Sequence, residues 1–309
     1  MKVKKTSIAF TFALISAAPF TAQAAGSSPI APADILSCAS AELPFAQQSG
    51  YGVQVIRQST PVSNVPESGI HGTALPNGET LRFGKLADPV DATRKVLAFQ
   101  VHTSDPVTNS GKRSELKINP NIEMNKVYWI AFSVYIYDWG TLSTGDEALF
   151  GTQMHTGADK VAVGGPSFGI VTAPGGRKFF VKTRYSESST PGEGKSVSIK
   201  HAQHDIPFGR WADFVIKFKH NTSGAGFLQA WMDGKPIANY RGSLGYNTGV
   251  ADYAKFGYYN WSRDRMGPTV RKVLLRSPTI VADPTGSKYS QEQVRTLLGA
   301  DAALTASMR

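Results

Sequence analysis

Residues 128–137 read Tyr128-Trp129-Ile130-Ala131-Phe132-Ser133-Val134-Tyr135-Ile136-Tyr137. Tyr128, Ile130, Phe132, Val134 and Ile136 recur at a period of two, so on an extended chain they share one face. A helix would scatter them around its circumference. Phe214, Ile216 and Phe218 repeat the pattern. Phe227 to Met232 leads into Asp233-Gly234, a dipeptide suited to the positive φ angles of a two-residue hairpin turn. Phe179 to Tyr185 and Arg271 to Arg276 read as further strands, and Pro174-Gly175-Gly176 and Pro191-Gly192 punctuate the gaps. Only the tail reads as helix, from Ser290 to Leu298. There Ser290 and Gln293 make a capping box, and Val294, Leu297 and Leu298 supply an apolar face. No internal repeat and no linker interrupts the chain from Tyr51 onward. The expectation is an all-β protein: one antiparallel jelly-roll sandwich with a short C-terminal helix, occupying residues 48–309.

Composition agrees. The 309 residues are 41% hydrophobic and 18% charged, which excludes a disordered chain. A core of that size needs no disulfides. The single cysteine, Cys38, permits neither an internal bridge nor a C-x-x-C zinc site.

The N-terminus reads as an export address. Lys2, Lys4 and Lys5 precede an apolar run from Ile8 to Ala18, and Ala22-Gln23-Ala24 supplies a small-x-small cleavage pattern. Residues 1–24 are therefore expected to be a signal peptide, and residues 25–47, rich in Ala, Pro and Ser, a loose lead-in with one short helix. The apolar run is too short to span a bilayer. The mature protein is expected to be secreted or periplasmic, with no membrane association. Leu36-Ser37-Cys38 follows polar, Pro-containing sequence, so Cys38 reads as a small buried thiol rather than a lipidation site. Loss of Lys2, Lys4 and Lys5 takes the formal charge from +10 to +7. A basic exported protein suits a polyanion. The chain has no block of five or more Lys/Arg residues, which argues against nucleic acid.

Three segments place chemistry-bearing side chains on strand faces. In Arg113-Ser114-Glu115-Leu116-Lys117-Ile118, Arg113, Glu115 and Lys117 share one face above an apolar row. In Gln153-Met154-His155, an amide and an imidazole project together. In Tyr253-Ala254-Lys255-Phe256-Gly257-Tyr258-Tyr259-Asn260-Trp261, Tyr253, Lys255, Gly257 and Tyr259 share one face, and Ala254, Phe256 and Tyr258 point to the core. Gly257 leaves room for a ligand or a neighbouring backbone. A one-residue bulge would exchange Tyr258 and Tyr259.

Together, Arg, Gln, His and Tyr on sheet faces fit β-elimination on a 1,4-linked uronate. The C5 proton is weakly acidic while the adjoining carboxylate is charged, so hydrogen-bond donors must stabilise the growing enolate-like charge. A base takes H5 and an acid protonates the leaving O4. Tyrosine can do both where H5 and O4 lie on one side of the ring. Where they are opposed, His is needed as the base. Arginine grips the carboxylate at two points.

In the same order along the chain, Arg113-Ser114-Glu115-Leu116, Gln153-Met154-His155 and Tyr253-x-Lys255-x-Gly257-x-Tyr259-Asn260 resemble the signature segments of jelly-roll alginate lyases. Trp211-Ala212-Asp213-Phe214-Val215 and Trp231-Met232-Asp233-Gly234-Lys235 resemble the heparin-lyase-I-like and glucuronan-lyase group. The resemblance implies a concanavalin-A-like sandwich with a cleft across one sheet, and a polysaccharide lyase acting on alginate, polymannuronate or glucuronan. It implies Arg113 and Gln153 on the uronate carboxylate, His155 as neutraliser or base, and Tyr259 as acid and base. Glu115 would orient Arg113, and Lys255 would bind a neighbouring subsite. Lys117, Arg184, Tyr253 and Asn260 are further expected substrate contacts. Lys117 replaces the usual second Arg, Met154 an Ile or Val, Phe256 a small residue and Trp261 a Gln. The last two bear on substrate choice. Lys182 alternates with Arg184 and adds positive charge. His201 and His204 read as loop residues. The expected partner is an acidic polysaccharide, bound by a monomer without metal or cofactor. A carbohydrate-binding jelly roll would not need the Gln/His/Tyr set, and a glycoside hydrolase would need two carboxylates on one face.

Overall fold

The alternating strands pair into two packed layers. The computed structural model describes residues 29–41, 53–57, 60–61, 82–105, 107, 111–140, 142–143, 145–156, 165–186, 196–262, 266 and 270–299. The first layer contains β1 (Ile35–Cys38), β4 (Phe83–Ala87), β5 (Lys95–His102), β7 (Val127–Ile136), β12 (Trp211–Lys219), β13 (Asn221–Met232), β14 (Lys235–Tyr246) and β16 (Val270–Ala282). The second contains β2 (Val53–Arg57), β3 (Thr60–Pro61), β6 (Lys112–Ile122), β8 (Ala148–His155), β9 (Phe168–Thr172), β10 (Lys178–Ser186), β11 (Val197–Asp205) and β15 (Asp252–Asn260). Strand order is β14-β13-β12-β7-β16-β5-β4 in the first, with β1 beside β16. It is β3-β2-β6-β15-β8-β9-β10 in the second, with β11 beside β10. A short parallel pairing of β10 with β14, Tyr185 with Gly245, joins the layers at one edge. This is the expected jelly-roll sandwich.

The period-two face becomes the core. Tyr128, Ile130, Phe132, Val134 and Ile136 are buried there with Phe214, Ile216 and Phe218, facing Phe150, Phe168, Phe179, Phe256 and Tyr258 of the other layer. Ring contacts span the layers: Phe132 to Phe256 at 5.9 Å and Phe179 to Phe214 at 5.7 Å. Edge-on pairs of this kind add stabilisation beyond their buried area. Asp233 and Gly234 take φ angles of 52° and 78°, the two-residue turn joining β13 to β14.

The tail helix α1 (Gln291–Thr296) starts at the expected capping box, with Ser290 Oγ accepting from Gln293 N and Gln293 Oε1 accepting from Ser290 N. A 3-10 turn, Leu297–Gly299, extends it. Val294, Leu297 and Leu298 cover Trp129, Ala131 and Val215 on the outer side of the first layer.

Two expectations need correction. Residues 35–38 are not part of a loose lead-in: Ile35–Cys38 pairs antiparallel with β16, and Cys38 is 1% exposed among apolar neighbours. His201 and His204 sit on β11, not in a loop, and bond Thr183 Oγ1 at 3.1 Å and the Ile237 carbonyl at 2.9 Å. The expected signal peptide, residues 1–24, lies outside the described residues. Among the described residues no helix is long and apolar enough to cross a membrane.

Candidate active site

Three adjacent strands, β6, β15 and β8, carry the three signature segments. Tyr259 pairs with Arg113, Gly257 with Glu115 and Lys255 with Lys117 across one ladder. Across the other, Tyr253 pairs with His155, Lys255 with Gln153 and Tyr259 with Leu149. Directly paired residues point to the same face. Arg113, Glu115, Lys117, Gln153, His155, Tyr253, Lys255 and Tyr259 therefore share the outer face of the second layer.

Gly151 and Gly257 pair with each other and both have positive φ, 74° and 134°. Between Leu149 and Gln153 the β8–β9 register shifts: Leu149 faces Val171 and Gln153 faces Gly169. Four residues on β8 thus cover an interval that takes two on β9, or about 7 Å at the usual rise per residue. The even count of extra residues preserves face parity. Glycine is required at both kinks. A Cβ on Gly257 would lie 2.3 Å from the Ser114 carbonyl oxygen, and one on Gly151 would lie 2.7 Å from the Phe132 ring. Gly257 thus makes room for a neighbouring backbone.

Glu115 is the hub. Its carboxylate accepts from Arg113 Nη1 at 3.2 Å and from Gln153 Nε2, and lies 3.9 Å from Lys255 Nζ. All four side chains are almost fully buried, which strengthens these charge-assisted bonds. The Arg113 guanidinium also lies over the Tyr259 ring at 4.0 Å. Glu115 thereby holds Arg113 and Gln153 side by side.

His155 stacks on Tyr253, with ring centroids 5.3 Å apart, and its Nδ1 lies 3.1 Å from the Thr156 carbonyl and 3.3 Å from the Tyr253 hydroxyl. A carbonyl only accepts, so Nδ1 carries the proton and Nε2 the lone pair. Burial, then the Lys255 charge, lowers the His155 pKa below the ordinary imidazole value, so the ring is neutral at pH 7. Lys117 lies over the same tyrosine ring, 4.0 Å from the Tyr253 ring centroid.

Tyr259 is half-buried and opens onto a cavity of about 240 Å³ whose lining includes Leu149, Gly169, Val171, Lys182, Arg184 and Trp261. Tyr258 points the other way. It is fully buried, and its hydroxyl accepts from Arg271 Nη1 at 2.9 Å. Burial raises its pKa above the ordinary phenol value.

One expected substrate contact is misplaced. Asn260 is fully buried in the sandwich, donating to Asp146 Oδ1 at 2.7 Å. It follows Tyr259 by one residue, so its side chain takes the opposite face. With Tyr258 and the buried Asp146–Arg271 ion pair it anchors the end of β15 behind Tyr259. Phe256 is likewise a core residue. Arg184 does reach the outer face, where Nε donates to Ser198 Oγ at 2.9 Å. Sequence reasoning missed the His155–Tyr253 stack, which depends on strand register.

A family model described as polysaccharide lyase matches residues 70–276, more than half of the chain. The chain belongs to this polysaccharide lyase family. No curated protein matches it. Among solved structures, an endo-β-1,4-glucuronan lyase from the fungus Trichoderma reesei superposes with a TM-score of 0.55 at 14% identity, covering 65% of this chain and 87% of that one. An alginate lyase from Klebsiella pneumoniae gives 0.46 at 11% identity, covering 65% and 85%. The first likeness reaches the level of a shared fold, in keeping with a lyase sandwich.

Proposed function

We propose that this polysaccharide lyase is exported and cleaves a 1,4-linked uronate polymer, of the alginate, polymannuronate or glucuronan class, by β-elimination. The observation that carries the reading is the set of Arg113, Gln153 and Tyr259 on one face, with Arg113 and Gln153 bridged by Glu115 and Tyr259 beneath the Arg113 guanidinium.

Arg113 and Gln153 donate to the substrate carboxylate, and their hold strengthens as negative charge grows there. Removal of H5 leaves an electron pair at C5, which forms the C4=C5 double bond as the C4–O4 bond breaks. The proton added to O4 completes the leaving sugar. Tyr259 supplies that proton and, where H5 lies on the same side, takes H5 as well. His155, neutral with its Nε2 lone pair, is the base where H5 and O4 are opposed. Lys117, Lys255, Arg184 and Tyr253 hold neighbouring sugars.

The test is absorbance of the unsaturated product over purified polymannuronate, polyguluronate and glucuronan. Turnover of at least one supports the reading. Binding without any new double bond points to a carbohydrate-binding protein instead.

A further inference from the structure

The ladder registers align six residues into one row across the second layer. Lys117 pairs with Lys255, Lys255 with Gln153, Gln153 with Gly169, Gly169 with Lys182 and Lys182 with Lys200. At about 4.8 Å between strands, the row runs roughly 24 Å from β6 to β11. Four of its six members are lysines. Gly169 at its middle keeps the floor low, because a Cβ there would come within 2.3 Å of Leu149 Cδ2.

Each end sets a lysine over an aromatic ring, with Lys200 5.1 Å from the Phe180 centroid, but the balance of charge differs. Near Lys255 stands Glu115, and Lys117 rests on the Tyr253 ring. At the other end, Lys182 and Lys200 are directly opposite with Arg184 two residues on. Like charges directly opposite destabilise a ladder. Among the groups acting on Lys182, Arg184 and Lys200 oppose its charge and Glu147 favours it. Burial comes first among the causes that lower its pKa, followed by Arg184. Glu147 is also engaged by Trp261, whose Nε1 donates to Oε2 at 3.2 Å. Three cations thus gather with one acid beside the cavity that Lys182, Arg184, Trp261 and Tyr259 line.

We propose that Lys182, Arg184 and Lys200, with Trp261 as an apolar platform, form a second carboxylate-binding subsite, beginning two strands from Gln153. The polymer then crosses the strands along the lysine row. This rests on the proposed uronate specificity and adds a length requirement: an oligomer must extend from the Arg113 end to β11 to gain full affinity. The like-charge cost between Lys182 and Lys200 is relieved when a sugar carboxylate lies between them.

The test is isothermal titration of uronate oligomers, disaccharide to octasaccharide, into the Tyr259→Phe protein, alone and combined with Lys182→Gln/Lys200→Gln. The expected result is affinity that rises with length, and a roughly three- to tenfold loss in the double variant confined to the longer oligomers. Lys182→Arg/Lys200→Arg should restore it. An unchanged length dependence overturns the subsite, as does an equal loss with Lys126→Gln, which removes a charge on the turn between β6 and β7, outside the row. If wild-type protein turns over no uronate polymer while the length-dependent loss persists, the lyase specificity fails and the subsite stands.

Discussion

The Arg113 guanidinium stacks on the Tyr259 ring, 4.0 Å from its centroid, while the adjacent Tyr258 hydroxyl accepts from buried Arg271. The two tyrosines are thus assigned opposite duties by one step of strand alternation. Tyr259→Phe keeps the ring under Arg113 and removes only the hydroxyl. Turnover should fall about 10²–10⁴-fold with little change in binding. Tyr258→Phe should instead cost about 1–3 kcal/mol of stability, because a buried arginine loses one of its acceptors. Steady-state kinetics and denaturant melts of both variants check this, with Tyr253→Phe as a third. Near-wild-type turnover by Tyr259→Phe would pass the proton-transfer role to the tyrosine that stacks on His155.

Glu115 is 3% exposed and gathers Arg113, Gln153 and Lys255. Glu115→Ala leaves two buried cations without their carboxylate, and breaking a buried pair in this way costs about 3–5 kcal/mol. A polyuronate should return part of that loss, since its carboxylate meets the same donors. Thermal melts with and without polymer check the prediction. A melting temperature unchanged by Glu115→Ala would remove Glu115 from its place as hub.

Local alternation made much of this legible. Period two alone put Arg113, Glu115 and Lys117 on one face and separated Tyr259 from Tyr258. Asn260 went astray because its motif neighbour Tyr259 lies on the outer face, whereas its own parity sends it to Asp146. What requires strand order was out of reach. The lysine row depends on β8, β9, β10 and β11 lying side by side. The pairing of Ile35–Cys38 with β16 joins residues far apart in the chain, and four residues carry too little pattern to announce it. The β8–β9 bulge around Gly151 was visible only as a glycine in strand sequence.

Binding of a polyanion should weaken as salt rises. Lys117, Lys182, Arg184 and Lys200 are half-buried or exposed, and charges at that depth are screened over about 10 Å at 0.1 M ionic strength. The buried Arg113 is screened less. Titrations of uronate oligomers across ionic strength should therefore show steeper salt dependence for long oligomers than for short ones. Affinity that stays flat from low to high salt would argue against an acidic substrate.

The acid side of the pH profile follows from His155. Burial and Lys255 lower its pKa in the folded protein, whereas in the unfolded chain it returns to about 6.5. Below that value the unfolded chain takes up a proton that the folded protein resists. Stability should therefore fall as pH drops below about 6.5 and level off once the folded histidine also protonates. His102 and His201, also lowered chiefly by burial, add to the same trend. His155→Gln should remove its share, so the variant's melting temperature should decline less between pH 7 and 5. Activity separates the chemical role. If His155 is the base on a substrate with H5 and O4 opposed, the acid limb of kcat/KM on that substrate reports a group titrating below 6.5, and His155→Gln abolishes turnover. On a substrate with both on one side, Tyr259 suffices and the variant retains activity. Equal loss on both substrates would show that His155 serves the carboxylate rather than the proton.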